Sequence, residues 1–265
     1  MSDATDMDSV VAVEVTTRGD LPGAAEYARS RIADVSRLAH KPLLHAHVKL
    51  TRHGDPELER PVIAQANLDV DGRLVRAQAE GDTAREAIDR LEDRLRRRLR
   101  RAAEQWQARR DGRSIRVPNT VGAEPADRPV PAPVPPEERQ IVRRKSYTLA
   151  PCSVDEAAVE MELLDYDFHL FTERGTGMAS VLYTGGPTGY RLAQVQPTAE
   201  ADLAPFELPL TISSQPPPCV TVEEAAERMG LLGLPFLFFI DAAQGRAAVL
   251  YRRYDGHYGM ITPAV

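Results

Sequence analysis

The chain contains one sequence module twice, and this tandem repeat constrains its fold more than any other feature. Residues 153–171 (SVDEAAVEMELLDYDFHLF) align without a gap on residues 221–239 (TVEEAAERMGLLGLPFLFF) at a constant offset of 68. The register continues over six identical residues in each copy: Gly177, Ala179, Val181, Leu182, Tyr183 and Tyr190 in the first, Gly245, Ala247, Val249, Leu250, Tyr251 and Tyr258 in the second. Similarity at a fixed period indicates a duplicated structural unit.

Each copy predicts a small α+β module. Ser153 with Glu156, and Thr221 with Glu224, form capping boxes that begin a short helix, and a strand pair follows. A module of about 50 residues buries too little surface to be stable alone, so each copy needs a partner surface. Because tethering raises the effective concentration to about millimolar, we expect residues 141–195 and 213–265 to pair within one chain. The alternative is that duplication only enlarged the domain and the second copy dimerises between chains.

The two copies differ at the end of the repeat. Asp255-Gly256 predicts a two-residue turn that sets Tyr251 opposite Met260 and Arg253 opposite Tyr258. The first copy reads GGPTG there, and its proline predicts that the turn is lost. The following residues are predicted to form the module cores or the contact between modules: Phe168, Phe171, Phe236, Phe238, Phe239, Tyr251, Arg253 and Tyr258.

A proline-rich segment separates the repeat from the rest of the chain. Seven of the 23 residues from 117 to 139 are proline, which favours an extended, semi-rigid linker; we assign it to residues 113–140. Before it, residues 9–112 predict strand, helix, three strands and helix, with Asp71-Gly72 as a tight hairpin turn. The predicted fold class is therefore α+β: a four-stranded sheet backed by two helices, a linker, and two paired modules.

Charge is divided unevenly along the chain. Residues 9–116 carry 22 Lys and Arg against 17 Asp and Glu, whereas residues 117–265 carry 11 against 19. Six arginines lie between positions 94 and 101, and the spacing of Arg90, Arg94, Arg97 and Arg101 predicts a basic ridge opposite the apolar stripe of the second helix. Such a ridge suits a polyanion. The alternative is a solvated helix face with salt bridges to neighbouring acids.

Other residue types exclude several classes of function. His45 and His47 would share a strand face, but no carboxylate or cysteine stands at ligand spacing, so we expect no metal and no cofactor. Nothing resembles a nucleophile elbow, a phosphate-binding glycine loop or an acid–base pair, so we expect no enzyme. The polar, acidic start of the sequence and two cysteines predict a cytoplasmic protein without membrane contact.

Both halves resemble one known family. VEEAAERMGLLGLPFLFF and GRAAVLYRRYDGHYGMITP closely resemble the C-terminal domain of long-form ribosome hibernation promoting factors, and IVRRKSYTLAPCSVDEAAVEMELLDYDFHLF resembles its opening half. LVRAQAEGDTAREAID is similar to the family's ribosome-binding domain at the turn into its second helix, although Arg85 stands where the family usually has tyrosine. The sequence departs from the family by carrying the C-terminal domain twice.

The resemblance implies a function. It implies that the N-terminal domain binds the small ribosomal subunit and its rRNA in the channel for messenger and transfer RNA, and silences the 70S ribosome in dormancy or stress. The residues we expect to contact rRNA are Lys49, Arg52, Arg73, Arg76, Arg90, Arg94, Arg97, Arg98 and Arg101. In the family the C-terminal domain dimerises and joins two ribosomes; with both copies in one chain we expect a monomer that silences single ribosomes. The alternative is a stress-response scaffold whose acidic tandem region binds a protein.

Overall fold

The computed structural model describes residues 12–36, 41–54, 60–110, 131 and 134–264, which form two compact units. The first unit is built from the N-terminal sheet and helices, and the second from the two modules of the repeat. Most of the predicted linker, residues 113–140, lies outside the described residues.

The N-terminal unit has the predicted order of strands and helices. Its elements are β1 Val13–Arg18, α1 Ala24–Ser36, β2 Leu43–Arg52, β3 Val62–Val70, β4 Arg73–Gly81 and α2 Ala84–Arg110. The strands lie in the order β1-β2-β3-β4, with β1 parallel to β2 and the other pairs antiparallel. A parallel pair needs a crossover, and α1 supplies it. Asp71 and Gly72 both have positive φ (54° and 78°), as a tight hairpin turn between β3 and β4 requires.

Alternation along the strands gives this sheet one apolar face, which the helices cover. The buried residues on this face of β2, β3 and β4 include Val48, Leu50, Ala64, Ala66, Leu68, Val75 and Ala77. The predicted stripe of α2 is buried against them: Ile88, Leu91, Leu95, Leu99, Ala102 and Trp106. Because every turn of α2 contributes to this core, its orientation over β3 and β4 is fixed by packing.

The C-terminal unit contains two five-stranded sheets. The first module consists of β6 Pro151–Cys152, α3 Val154–Leu163, β7 Phe168–Glu173, β8 Ala179–Thr184 and β9 Tyr190–Gln194. The second consists of β11 Cys219–Val220, α4 Val222–Leu232, β12 Phe236–Asp241, β13 Arg246–Arg252 and β14 Tyr258–Pro263. Two further strands precede the modules in the chain: β5 Ile141–Tyr147 and β10 Leu210–Ile212.

These two strands are exchanged between the modules. β5 precedes the first module but pairs in parallel with β14 of the second, while β10 precedes the second module but pairs in parallel with β9 of the first. The exchange has the same register on both sides, since Arg143 pairs with Gly259 and Thr211, one repeat later than Arg143, pairs with Arg191. The strand that precedes each module in the chain, its leading strand, thus pairs with the other module. The arrangement is that of a two-fold symmetric dimer built from one chain.

Two carboxylates of the first module hold the segment that leads into β10. Asp155 accepts hydrogen bonds from the backbone N–H groups of Glu207 (2.9 Å) and Leu208 (3.0 Å). The fully buried Glu173 accepts one from Ala204 N–H at 2.9 Å. Burial raises the pKa of the Glu173 carboxyl, but hydrogen bonds from backbone N–H groups outweigh it and lower that pKa overall. Because residues 204–208 are fixed on the first module, β10 is delivered to β9.

The two modules pack against each other through one face of each sheet. Phe168 and Phe236, which occupy equivalent positions of the repeat, have ring centroids 4.7 Å apart. Phe168 also lies 5.8 Å from the ring of Tyr251, and Phe236 lies 5.3 Å from the equivalent Tyr183. The contacts are reciprocal, so the pseudo-two-fold axis runs through the Phe168–Phe236 pair. Around these rings lie Leu170, Val181, Phe238, Ala247 and Val249.

The aromatic residues predicted for module pairing divide between two environments. Phe168, Phe236, Phe238 and Tyr251 belong to the cluster between the modules. The other three aromatic residues lie in the module cores and not in the contact: Phe171 in the core of the first module, and Phe239 and Tyr258 in the core of the second. Successive residues of a strand point to opposite faces, so each of these rings packs beneath its own helix.

The predicted hairpin register of the second module is wrong by one residue. Arg252, not Arg253, pairs with Tyr258, and Tyr251 pairs with Gly259. The N–H of Arg253 donates to the carbonyl of His257 at 2.8 Å, which leaves a three-residue loop that ends at Gly256 with φ 81°. Arg253 is bound to Asp255 (2.7 Å) within this loop.

The first copy has kept the same hairpin, contrary to the prediction that its turn is lost. Thr184 pairs with Tyr190, and the N–H of Gly185 donates to the carbonyl of Gly189 at 3.0 Å. Pro187 lies in the middle of the three-residue loop, where no ladder hydrogen bond requires its nitrogen. Both copies therefore have the same strand pairing.

The ring of Tyr251 covers Gly259, which predicts a steric requirement for glycine. A Cβ atom at position 259 would lie 2.4 Å from Cζ of Tyr251. Since the ring also packs on Phe168, it cannot move without disturbing the cluster between the modules. We expect Gly259→Ala to lower the free energy of unfolding of the C-terminal unit by about 2 kcal/mol, as overpacking typically does.

Denaturant unfolding of the full chain followed by circular dichroism measures this change. Trp106 is the only tryptophan and belongs to the N-terminal unit, so its fluorescence is an internal control that should not change. In a Tyr251→Ala background the same glycine substitution should cost little, because the opposing ring is absent. Equal costs in the two backgrounds would contradict the proposed clash.

Candidate nucleic-acid interface

Helix α2 carries most of the predicted cationic residues. The hydroxyl of Thr83, just before the helix, accepts a hydrogen bond from Glu86 N–H at 3.2 Å. The carboxylate of Glu86, in the first turn, accepts one from Asp82 N–H at 2.9 Å. The apolar stripe faces the sheet. This orientation decides which arginines of the helix face away from the protein.

Two arginines of the predicted ridge bind the edge of the sheet. Arg90 Nη1 donates to the carbonyl of Glu80 at 3.1 Å, and Arg94 Nη1 donates to the carbonyl of Gln78 at 2.8 Å. Strand β4 is an edge strand, so these carbonyls lack a strand partner on that side. Arg94 is only 6% exposed, which corrects the prediction that it lies opposite the apolar stripe. Both guanidinium groups therefore bind the open edge of β4.

Three arginines of α2 are exposed on the side away from the sheet: Arg97, Arg100 and Arg101. Arg100 was not among the predicted residues, although it belongs to the same arginine run. The three arginines lie within less than two turns of the helix. The exposed acids Asp93 and Glu104 lie on either side of them in the sequence. Arg98 is half-buried at the side of the apolar stripe. Guanidinium groups presented in this way can contact successive phosphates of a nucleic-acid backbone.

The predicted cations on the strands do not lie beside the arginines of α2. Arg76 Nη2 donates to the side-chain oxygens of Gln65 (3.3 Å) and Gln78 (3.1 Å), and this places Arg76 on the sheet face opposite the helices. Lys49 pairs with Gln65 in the ladder and shares that face. Arg52 is exposed at the end of β2. The predicted residues therefore do not form a single patch, because alternate strand residues point away from α2.

Two cations from other elements lie beside Trp106 near the end of α2. The guanidinium of Arg73 lies 5.6 Å from the ring centroid of Trp106, and the ammonium of Lys41 lies 5.2 Å from it. Both are within the range of a cation–π interaction. Lys41 also forms an ion pair with Asp71 at the β3–β4 turn. Arg73 thus contributes to packing around the indole.

Two arginines that sequence reasoning missed lie where α1 and α2 are neighbours, Arg29 on α1 and Arg85 on α2. Arg29 is exposed on α1, and the Arg85 guanidinium lies 4.9 Å from the ring centroid of Tyr27. Tyr27 donates a hydrogen bond to Asp89 at 2.5 Å, and this bond links the two helices. The sequence could not indicate these residues, because their proximity depends on the packing of α1 against α2.

Other kinds of site receive no support within the described ranges. These residues contain no group of three His, Cys, Asp or Glu side chains that could hold a metal ion. His47 Nε2 lies 3.1 Å from the hydroxyl of Thr16, and His45 Nε2 lies 3.9 Å from the Glu14 carboxylate. Among the same residues, no helix combines the length and apolar character needed to cross a membrane.

Family models match both halves of the chain. Residues 22–107 match the model described as Sigma 54 modulation protein / S30EA ribosomal protein. Residues 136–192 and 213–260 each match the model described as Sigma 54 modulation/S30EA ribosomal protein C terminus. The predicted duplication of the C-terminal domain is confirmed by these two separate matches.

Several named proteins are similar to this chain. The dormancy associated translation inhibitor of Mycobacterium tuberculosis is 38% identical over 212 residues, which cover 77% of this chain and 71% of the relative. The ribosome hibernation promotion factor of Deinococcus radiodurans is 29% identical over 162 residues, which cover 60% of this chain and 84% of the relative. The solved N-terminal domain of Thermus thermophilus Protein Y is 25% identical with a TM-score of 0.25, and the match covers 33% of this chain and 96% of that structure.

Proposed function

The chain belongs to the S30EA ribosomal protein family, and on that premise we propose that it silences translation by binding the small ribosomal subunit in the channel for messenger and transfer RNA. The observation that carries this proposal is the exposed arginine surface of α2, on a domain that matches the family over residues 22–107. The names of its relatives, a translation inhibitor and a ribosome hibernation promotion factor, support it. Binding of this kind needs no catalysis and takes place in the cytoplasm.

The RNA contact is electrostatic in this proposal. Ribosomal RNA presents its phosphate backbone and shape to a protein more readily than its base edges. Exposed arginines of α2, with Arg29 on α1, supply guanidinium groups that bind phosphates in pairs of hydrogen bonds. Lys49 and Arg76, on the other sheet face, are proposed to contact a second RNA segment.

We further propose that one chain acts on one ribosome. In one molecule, β5 covers the edge at β14 and β10 covers the edge at β9. The aromatic cluster occupies the face on which another chain would dock. Pairing within a chain also competes favourably with pairing between chains at micromolar concentration, because the tether fixes an effective concentration of about millimolar. The protein is therefore expected to be a monomer of 29.2 kDa.

Sucrose-gradient sedimentation with purified ribosomes tests the proposal. We expect the full chain to sediment with small subunits and 70S ribosomes, to leave the ribosomes unpaired, and to inhibit translation in a cell-free system. Binding should weaken steeply between 50 and 200 mM salt, because phosphate contacts release counterions (roughly 10³-fold or more for six or more contacts). A chain that remains at the top of the gradient at low salt would favour the scaffold hypothesis instead.

A further inference from the structure

A second group of cations lies at one edge of the C-terminal unit. Residues 134–265 carry ten Lys and Arg against 17 Asp and Glu, so this part of the chain is acidic. Six of the ten nevertheless lie on β5, just before it, or at the β13–β14 hairpin: Arg139, Arg143, Arg144, Lys145, Arg252 and Arg253. This group is called the β5 edge below.

Strand exchange assembles the β5 edge. Arg143 pairs with Gly259, Arg144 with Met260 and Lys145 with Ile261 along β14. Arg144 Nη1 lies 3.6 Å from Sδ of Met260 on the helix side of the sheet, and Arg143 and Lys145 point to the other side. Arg139 Nη1 lies 3.4 Å from the hydroxyl of Tyr258, one residue from the hairpin loop. Cations separated by more than 100 residues in sequence thus meet at one sheet edge.

The β5 edge contains more cations than the acids that flank it. Asp255 is bound to Arg253 by contacts of 3.1, 3.1 and 2.7 Å, so these two charges cancel. Glu137 and Glu138 are exposed in the short helical turn before Arg139. Burial lowers the pKa of Arg252, and the nearby positive charge of Arg139 lowers it further. Like charges held this close favour an anionic ligand.

Protection of an edge strand is the competing explanation, since charged side chains prevent strands of other molecules from pairing there. It accounts for Arg143, Arg144 and Lys145 but not for the cations off the strand. The equivalent edge of the first module provides a comparison, because it has the same topology and register. Its residues at the six equivalent positions include no cation: Glu207, Thr211, Ile212, Ser213, Thr184 and Gly185.

We propose that the β5 edge is a second RNA-binding surface that contacts the phosphate backbone of ribosomal RNA. It rests on the proposed function, because the N-terminal unit would bring the chain to the small subunit. Arginine guanidinium groups suit phosphate oxygens, which accept charge-assisted hydrogen bonds from them. Two phosphate-binding units in one chain bind more tightly than either alone, because the second contact forms intramolecularly.

Salt titration of binding to purified small subunits tests the inference. The variant Arg143→Thr/Arg144→Ile/Lys145→Ser carries the residues that β10 has at the same positions, so it retains a natural strand sequence. A second variant, Arg139→Gln/Arg252→Thr, leaves the strand intact. The control is Arg174→Gln/Arg228→Gln/Arg246→Gln, which removes three cations from other parts of the same unit.

We expect the strand variant to bind about tenfold more weakly at 150 mM salt, with the slope of log K against log salt reduced by about 2, since each lost phosphate contact contributes about 0.7 to 0.9. The two-residue variant should lose about 1.5 in slope, and the control should not change. If the unmodified chain binds while both variants keep its slope, or if the control loses as much, the inference is wrong and the proposed function stands. If the unmodified chain does not bind, the proposed function itself fails.

Discussion

Deletion of residues 150–217 is expected to convert the protein from a monomer into a dimer. The deletion removes one full repeat of 68 residues in phase, so that Leu149 is followed directly by Pro218. Strand β5 then precedes the second module at the spacing at which β10 precedes it in the intact chain. A single module remains, with one leading strand and one free edge at β14.

The physical reason is the direction of strand exchange. In the intact chain neither leading strand pairs with the module that directly follows it: β5 pairs with β14 and β10 pairs with β9. Without the first module, β5 must pair with β14 of a second chain to keep this geometry. Phe236, Phe238 and Tyr251 would also lose their partner surface, and burying such side chains is worth about 1.5 to 3 kcal/mol each. Both effects favour two chains in a symmetric dimer.

Light scattering coupled to size-exclusion chromatography at micromolar concentration measures the result. The intact chain should have the mass of one chain and the deletion variant twice its own chain mass. Adding Phe236→Asp to the deletion should restore a monomer, because the charge would face its own copy across the two-fold axis. A dimeric intact chain, or a folded monomer after deletion, would contradict pairing within the chain. On ribosomes the deletion variant should produce a paired species in the gradient.

The repeat predicted the two modules but not the exchange of their leading strands. A constant offset identifies equivalent residues, and the helix caps, strands and small module size follow from local patterns. Which sheet edge β10 joins depends on contacts far away in sequence, such as those of Asp155 and Glu173 with residues 204–208. No local pattern contains this information, although pairing of the modules could be expected from their size.

Faces and register were harder to predict than elements. Asp255-Gly256 suggested a two-residue turn, but the chain forms a three-residue loop, and a shift of one residue moves every side chain of a strand to the other face. The decisive contact is Tyr251 over Gly259, which only a residue without a Cβ permits. Without the register, the sequence could not assign each phenylalanine to a face of its sheet. Phe168 and Phe236 lie between the modules, whereas Phe171 and Phe239 lie in the module cores.

The basic ridge was predicted from the helix alone, and the sheet altered it. Spacing correctly placed the apolar stripe of α2 against the core. It treated Arg90 and Arg94 as outward residues, whereas the open carbonyls of β4 bind both guanidinium groups. An edge strand beside a helix is a tertiary feature, so helical spacing could not predict this pairing. Of the arginines on α2, those farther along the helix remain candidates for direct RNA contact.

Reversing the charge of Arg97, Arg100 and Arg101 to glutamate is expected to abolish binding to the small subunit while the N-terminal unit stays folded. All three side chains are exposed on α2, and Arg90 and Arg94 keep their bonds to β4. The substitutions change the charge of this surface by six and turn phosphate attraction into repulsion, so we expect affinity at 150 mM salt to fall at least about 100-fold. Binding is measured by cosedimentation, and Trp106 fluorescence during unfolding verifies the fold.

A control of opposite sign lies on the same helix. Asp93→Lys/Glu104→Lys replaces two exposed acids beside the arginines and should strengthen binding and steepen its salt dependence, because added cations release additional counterions. If charge acts only through general repulsion from RNA, reversing three charges of the C-terminal unit would have the same effect as the α2 variant. The three positions are the exposed Arg174 and Arg228 and the half-buried Arg246. We expect this reversal to have much less effect, since α2 is proposed to contact the RNA directly. A folded α2 variant that binds within about threefold of the unmodified chain would remove α2 from the interface.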